Sequence, residues 1–192
     1  MLQLKAYGPT EPRVGFAFYS LSEAEAAALP EHARQIFALS EPALETACIR
    51  LAYAETRYRP EDQLLDAVIG MEALLLAGLH KDDRKRELKF RFSMNYSTLF
   101  NSPEERLRAC RVAKDLYDHR STIAHGGGFS TKPLRIGEEK LNLNEAANRA
   151  KGALRRLIKH FLPESKSAPY KNPQFWEKAY FEIRSKSLEP SS

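Results

Sequence analysis

The chain has 192 residues, of which 43% are hydrophobic and 29% charged, with a formal net charge of +5. That size and balance suit one sizeable hydrophobic core and exclude a disordered or collagen-like chain. No apolar run is long enough to span a bilayer, because the longest, LLDAVIGMEALLLAGL, carries Asp66 and Glu72 and reads as a buried helix.

Residues 1–40 are the least readable part. RVGFAFYS is dominated by apolar and aromatic residues and predicts a short strand. SEAEAAALPEHARQIF predicts a helix broken or turned at Pro30. From residue 40 the helical pattern strengthens. Ser40 is the expected N-cap of a helix whose face is Leu44, Cys48, Leu51 and Ala52, ending near Arg59-Pro60. The next helix is expected from about Glu61 to Gly78. It is apolar over most of its circumference and should therefore be central. HKDDRKRE is a charged connector, and LKFRFSMNYSTLF continues as a third helix. In NSPEE, Ser102 as cap, Pro103 in the first turn and Glu105 three residues after the cap mark the start of a fourth helix. That helix reaches toward residue 124 and ends at Gly126, Gly127 and Gly128.

FSTKPLRIGEEKLNL predicts a loop or short hairpin. Asn144 is expected to open a fifth long helix with Ala147, Ala150, Leu154, Leu157, Ile158 and Phe161 on its core face. PESKSAPYKNP reads as a linker, and Asn172-Pro173 opens a short aromatic helix. The expected fold is mainly α, a bundle of about five to seven helices with a short N-terminal strand or hairpin. It divides into an N-terminal extension over 1–40, a helical bundle over 41–162, and a linker, aromatic helix and tail over 163–192.

The start of the chain has no basic region followed by an apolar stretch, so no secretory signal is expected. Cys48 and Cys110 give neither a zinc spacing nor a disulfide framework, which suits a reducing, cytoplasmic setting. His32, His80 and His160 are isolated, and neither a metal nor another cofactor is expected. Charge is uneven: residues 1–80 hold 6 Lys/Arg and 11 Asp/Glu, whereas residues 81–192 hold 24 Lys/Arg and 14 Asp/Glu. Such a basic half can attract polyanions such as RNA, although on charge alone solvated helix faces are the favoured reading. Arg155, Arg156 and Lys159 on one helix, with Arg91, are the candidate RNA contacts. Tyr170, Phe175, Trp176 and Tyr180 either stack on bases or pack at helical spacing.

YDHRSTIAHGGG, residues 117 to 128, carries the chemistry. Arg120 offers a permanently charged fork suited to phosphate, and His125 an imidazole able to take or give a proton. On a regular helix residues five apart sit about 140° apart, so the pair converges only if the last turn unwinds. Together the two groups suit RNA cleavage without metal, through attack of a ribose 2′-OH to leave a 2′,3′-cyclic phosphate and a 5′-OH. One histidine cannot easily serve as acid and base at once, and a second copy across a twofold axis would supply the partner. The alternative is that Arg120 and His125 only complement the dipole of a helix end. Glu72, within its apolar helix, either hydrogen-bonds Arg91 or Arg120 and so orients the site, or is a partly exposed carboxylate on the back of the helix. Asp118 and His119 adjoin the segment and either assist or lie on a solvated face.

Three blocks resemble the HEPN domains, specifically the Apea-like HEPN branch. They are LLDAVIGMEALLLAG with Glu72, ELKFRFSMNYSTLF with Arg91-Phe92-Ser93, and LYDHRSTIAHGG with Tyr117, Arg120, Ser121, His125 and Gly126. Together they lie within residues 62–127. The resemblance implies a helical bundle dimerising through its signature helices, often a metal-independent endoribonuclease acting as a toxin or in antiviral defence. By position, it makes Arg120 and His125 the catalytic pair, with Ser121 orienting pair or substrate, and a homodimer with a composite site. An antitoxin or a larger defence assembly would be its partner. The family also includes inactive members that bind RNA, a nucleotide or a protein. Gly127 stands where some toxin members carry a modified tyrosine.

Overall fold

The computed structural model describes residues 22–79, 87–127 and 132–186. The expected strand over 13–20, His80 and Gly128 lie outside these. Among the described residues there are seven α-helices and one two-stranded antiparallel hairpin. None of the helices is long and apolar enough to cross a membrane.

Helix α1, Glu23–Phe37, falls largely in a separate unit. It is continuous through Pro30, correcting the expected break. Proline forfeits one rung of the helical ladder, and the helix carries on past it with an Arg34–Glu31 ion pair at 2.7 Å in its following turn.

The remaining helices form one unit. They are α2 (Pro42–Thr56), α3 (Pro60–Leu75), α4 (Leu88–Ser97), α5 (Pro103–Ala124), α6 (Leu143–Phe161) and α7 (Pro173–Lys186). Strands β1 (Leu134–Ile136) and β2 (Glu139–Leu141) lie between α5 and α6. As its apolar circumference requires, α3 is central: it packs on α2, α4, α5 and α6. Leu64, Ala67, Val68, Met71, Leu74 and Leu75 are fully buried. Gly70 permits this approach, since a Cβ there would lie 2.7 Å from Leu154 of α6. The only acid inside this apolar stretch to be buried, Asp66, is paired with Arg50 at 2.6 Å and Arg57 at 3.1 Å, fastening α2 to α3.

Helix starts follow local chemistry. Ser102 and Glu105 form the expected capping box ahead of α5. For α2 the cap is Glu41 rather than Ser40. The Glu41 carboxylate accepts the Leu44 N–H at 2.8 Å, and Pro42 takes the first turn. For α6 the cap is Asn142 rather than Asn144, because Glu145 stands three residues on and completes a second capping box. Asparagine 95 donates to the Leu75 carbonyl at 2.7 Å, closing the end of α3. Arg106 donates to the Phe100 and Thr98 carbonyls, closing the segment after α4.

The segment expected as a linker contributes to the core. Two short 3-10 turns, Leu162–Glu164 and Pro169–Lys171, bring Tyr170 into full burial. Its ring meets Phe161 with centroids 4.8 Å apart, and Trp176 donates its indole N–H to the Tyr170 carbonyl at 3.0 Å. Tyr170 and Trp176 are thus packing residues and not a platform for bases.

Candidate functional site

The buried stripe of α5 is Ala109, Ala113 and Leu116, at spacings of four and three. Arg120 continues that stripe by one more turn. Its guanidinium is therefore carried inward, toward Glu72 on the central helix α3. The two meet at 3.0 Å, with Arg120 donating. Of the two arginines available to Glu72, the fold selects Arg120. Arg91 instead lines a different groove, between α4 and α7.

The pair is incompletely satisfied. Arg120 Nε is buried and has no hydrogen-bond partner. Burial pushes the Glu72 carboxyl above its ordinary value, and the Arg120 charge offsets this only in part. Tyr117 packs its ring against Phe92, centroids 5.3 Å apart. Its phenol is raised, first by burial and then by the nearby Glu72 charge. Glu72 also borders a shallow groove lined by Thr46, Ile69, Ala73, Leu76 and Leu88.

The end of α5 is closed, not unwound. Gly126 has φ +74 and donates to the Ile123 carbonyl at 3.0 Å, while Gly127 donates to Thr122 at 2.9 Å. These two bonds form a Schellman motif, which satisfies the last carbonyls of the helix. The glycine at 126 is required there because the left-handed conformation disfavours a Cβ. His125 is the C-cap itself, its N–H bonded to Ser121 at 3.1 Å. The unwinding that would bring Arg120 and His125 together within one chain is therefore absent. Regular helix places them about 7.5 Å apart along the axis and about 140° apart around it. His125 is exposed, and its ring makes no hydrogen bond among the described residues. Half-buried Ser121 follows Arg120 on the same turn.

His119 has a different task. Its Nε2 lies 2.9 Å from the Arg135 carbonyl of β1. A carbonyl only accepts, so the ring carries its proton on Nε2. With Asp115, which accepts the Gly137 N–H at 2.7 Å, His119 fixes the hairpin on α5. Asp118 pairs with Lys89 of α4 at 2.5 Å.

The candidate RNA contacts do not form a single track. Arg155 pairs with Glu55 of α2, whereas Arg156 lies over the Phe100 ring at 4.9 Å. Lys159 is exposed. Sequence reasoning also overlooks a cleft of about 640 Å³ at the opposite end of α5, where Arg108, Arg149 and Arg156 converge from two helices. Among the described residues no group of three or more His, Cys, Asp or Glu is gathered to hold a metal. Comparison with known proteins yields no matching family model, no matching curated protein and no matching solved structure.

Proposed function

We propose that this chain is a metal-independent endoribonuclease of HEPN type, with Arg120 and His125 as its catalytic pair. One observation carries the reading. The end of α5 presents an imidazole open to solvent and, about 1.4 turns earlier, a guanidinium with an unpartnered Nε. Most buried polar groups are hydrogen-bonded, so an unpartnered buried donor calls for an explanation, and a functional role is one.

In this reading His125 takes the proton of a ribose 2′-OH as that oxygen attacks phosphorus. The P–O5′ bond breaks, leaving a 2′,3′-cyclic phosphate and a 5′-OH. The leaving oxygen receives its proton from the imidazole of a second copy. Arg120 stabilises the charge on the pentavalent phosphorus. Glu72 and Tyr117 are positioning residues, since each acts through Arg120. The 140° offset within one chain favours a composite site, in which two α5 ends face each other across a twofold axis. A toxin or antiviral role, with an antitoxin or larger assembly as partner, follows from this reading.

The test is incubation of purified protein with single-stranded RNA in EDTA. Wild type is expected to leave cyclic phosphate ends. Arg120→Ala and His125→Ala should each lose activity by at least about a hundredfold while retaining the wild-type circular dichroism spectrum. Full cleavage by either variant removes that residue from the mechanism. The Arg120–Glu72 ion pair favours a second reading, a non-catalytic module that binds RNA, a nucleotide or a protein. That reading expects intact dimers and no cleavage by wild type.

A further inference from the structure

The cleft between α5 and α6 lies about 18 Å along α5 from Arg120, counted from Arg108 at 1.5 Å per residue. Its floor is Tyr96, Ala109 and Ala153, and its rim carries Arg108, Arg149 and Arg156. Gly152 opens it further, because a Cβ there would meet nothing within 4 Å. Two rim carboxylates, Glu105 and Glu145, are turned back to accept from the N–H groups of Ser102 and Asn142. Arg149 is held by Glu139 at 2.7 Å. Among the described residues neither Arg108 nor Arg156 makes an ion pair or hydrogen bond, and Arg156 lies over the Phe100 ring. Two guanidinium groups without an ion pair therefore border a floor of one tyrosine and two alanines.

We infer that this cleft binds a nucleotide ligand carrying more than one phosphate, with Arg108 and Arg156 as its principal contacts. Several features select that chemistry. Arg108 and Arg156 reach the same cleft from two different helices, so two anionic groups of one ligand can be met at once. Guanidinium forks match phosphate oxygens. Arg156 is already stacked on Phe100 and leaves its outer face open to a base, extending the stack. Tyr96 supplies a hydroxyl beneath the arginines: burial raises its phenol, and Arg156 and Arg149 pull it back down. The cleft volume of about 640 Å³ falls within the range of small-molecule sites. The ligand is either a free nucleoside oligophosphate or a short run of nucleic-acid backbone, which share this chemistry.

The inference does not rest on cleavage at Arg120 and His125, so it is tested in the His125→Ala protein. Two probes are titrated in EDTA: ATP by calorimetry and a labelled uridine octamer by fluorescence anisotropy. Arg108→Ala and Arg108→Ala/Arg156→Ala are compared with Lys166→Ala, which removes an exposed charge outside the cleft. The single variant guards against any effect of uncovering Phe100, and a thermal melt checks folding. We expect at least one probe to bind, with affinity falling about tenfold or more in the double variant and less than about twofold in Lys166→Ala. Binding of ATP identifies a free nucleotide, and binding of the octamer alone identifies the backbone. The inference is overturned if neither probe binds at about 1 mM. It is equally overturned if the Arg108 variants bind as well as their parent, or if Lys166→Ala weakens binding as much as they do.

Discussion

Two glutamates meet cations inside this fold, with opposite outcomes. Glu41 is buried; its Oε2 accepts from the Leu44 N–H and the Tyr170 hydroxyl, and its Oε1 makes no hydrogen bond but lies 2.5 Å from the Lys171 ammonium. Burial alone would push that carboxyl up, but its partners outweigh burial and hold it below the ordinary value. Glu72 has one cation, and there burial wins. The first cluster gathers three partners on one carboxylate. The second gives its carboxylate a single arginine, whose Nε is buried without a hydrogen-bond partner.

Breaking the Glu41 cluster should have the largest effect. Glu41→Ala uncaps α2 and strands a buried tyrosine hydroxyl, so urea unfolding is expected to show a loss of about 3 kcal/mol. A loss within about 0.5 kcal/mol would mean that the cluster is ornamental.

Acid titration sharpens the contrast. The Glu41 value is depressed, so its stabilisation is full above the ordinary carboxylate value near 4.5 and is lost as pH falls below it. The Glu72 value is raised, so its contribution is full below 4.5 and is lost as pH rises through the elevated folded value. Glu41→Gln should thus flatten the acid limb of the stability profile, and Glu72→Gln the rise-side loss just above it. Identical profiles for both variants would erase the distinction.

The smallest effects belong to the α5 end. Arg120→Ala is expected to cost about 1 kcal/mol near neutral pH, shrinking as acid protonates the Glu72 left behind. His125→Ala should cost less than about 0.5 kcal/mol, because the backbone and not the ring closes the helix. A cost above about 1 kcal/mol for His125→Ala would assign the imidazole to structure.

Much of the architecture was legible from local signals. Ser102-Pro103 with Glu105, the hairpin over 134–141 and the apolar circumference of α3 each rest on neighbours within a few residues. The Asn142 cap was legible in principle, since Asn142 and not Asn144 has a glutamate three positions later. Tyr170 was not legible: its partner Glu41 is 129 residues away, and no periodicity marks a segment of 3-10 turns. Within the candidate site, residue types were readable but directions were not. The choice of Arg120 over Arg91 for Glu72, and of the hairpin for His119, depends on how α3, α4 and α5 pack. The arginine cleft was hidden for the same reason, because Arg108 and Arg156 are brought together only when α5 and α6 align.

The hydroxyl of Tyr170 has a consequence for how the molecule is made. Ribosomes deliver the chain from its amino end, so Glu41 emerges long before the phenol that completes its shell. Until then the Glu41 carboxylate has the Leu44 N–H of its own helix but neither of its distant partners. This corner of the fold can therefore be completed only after residue 170 has been made.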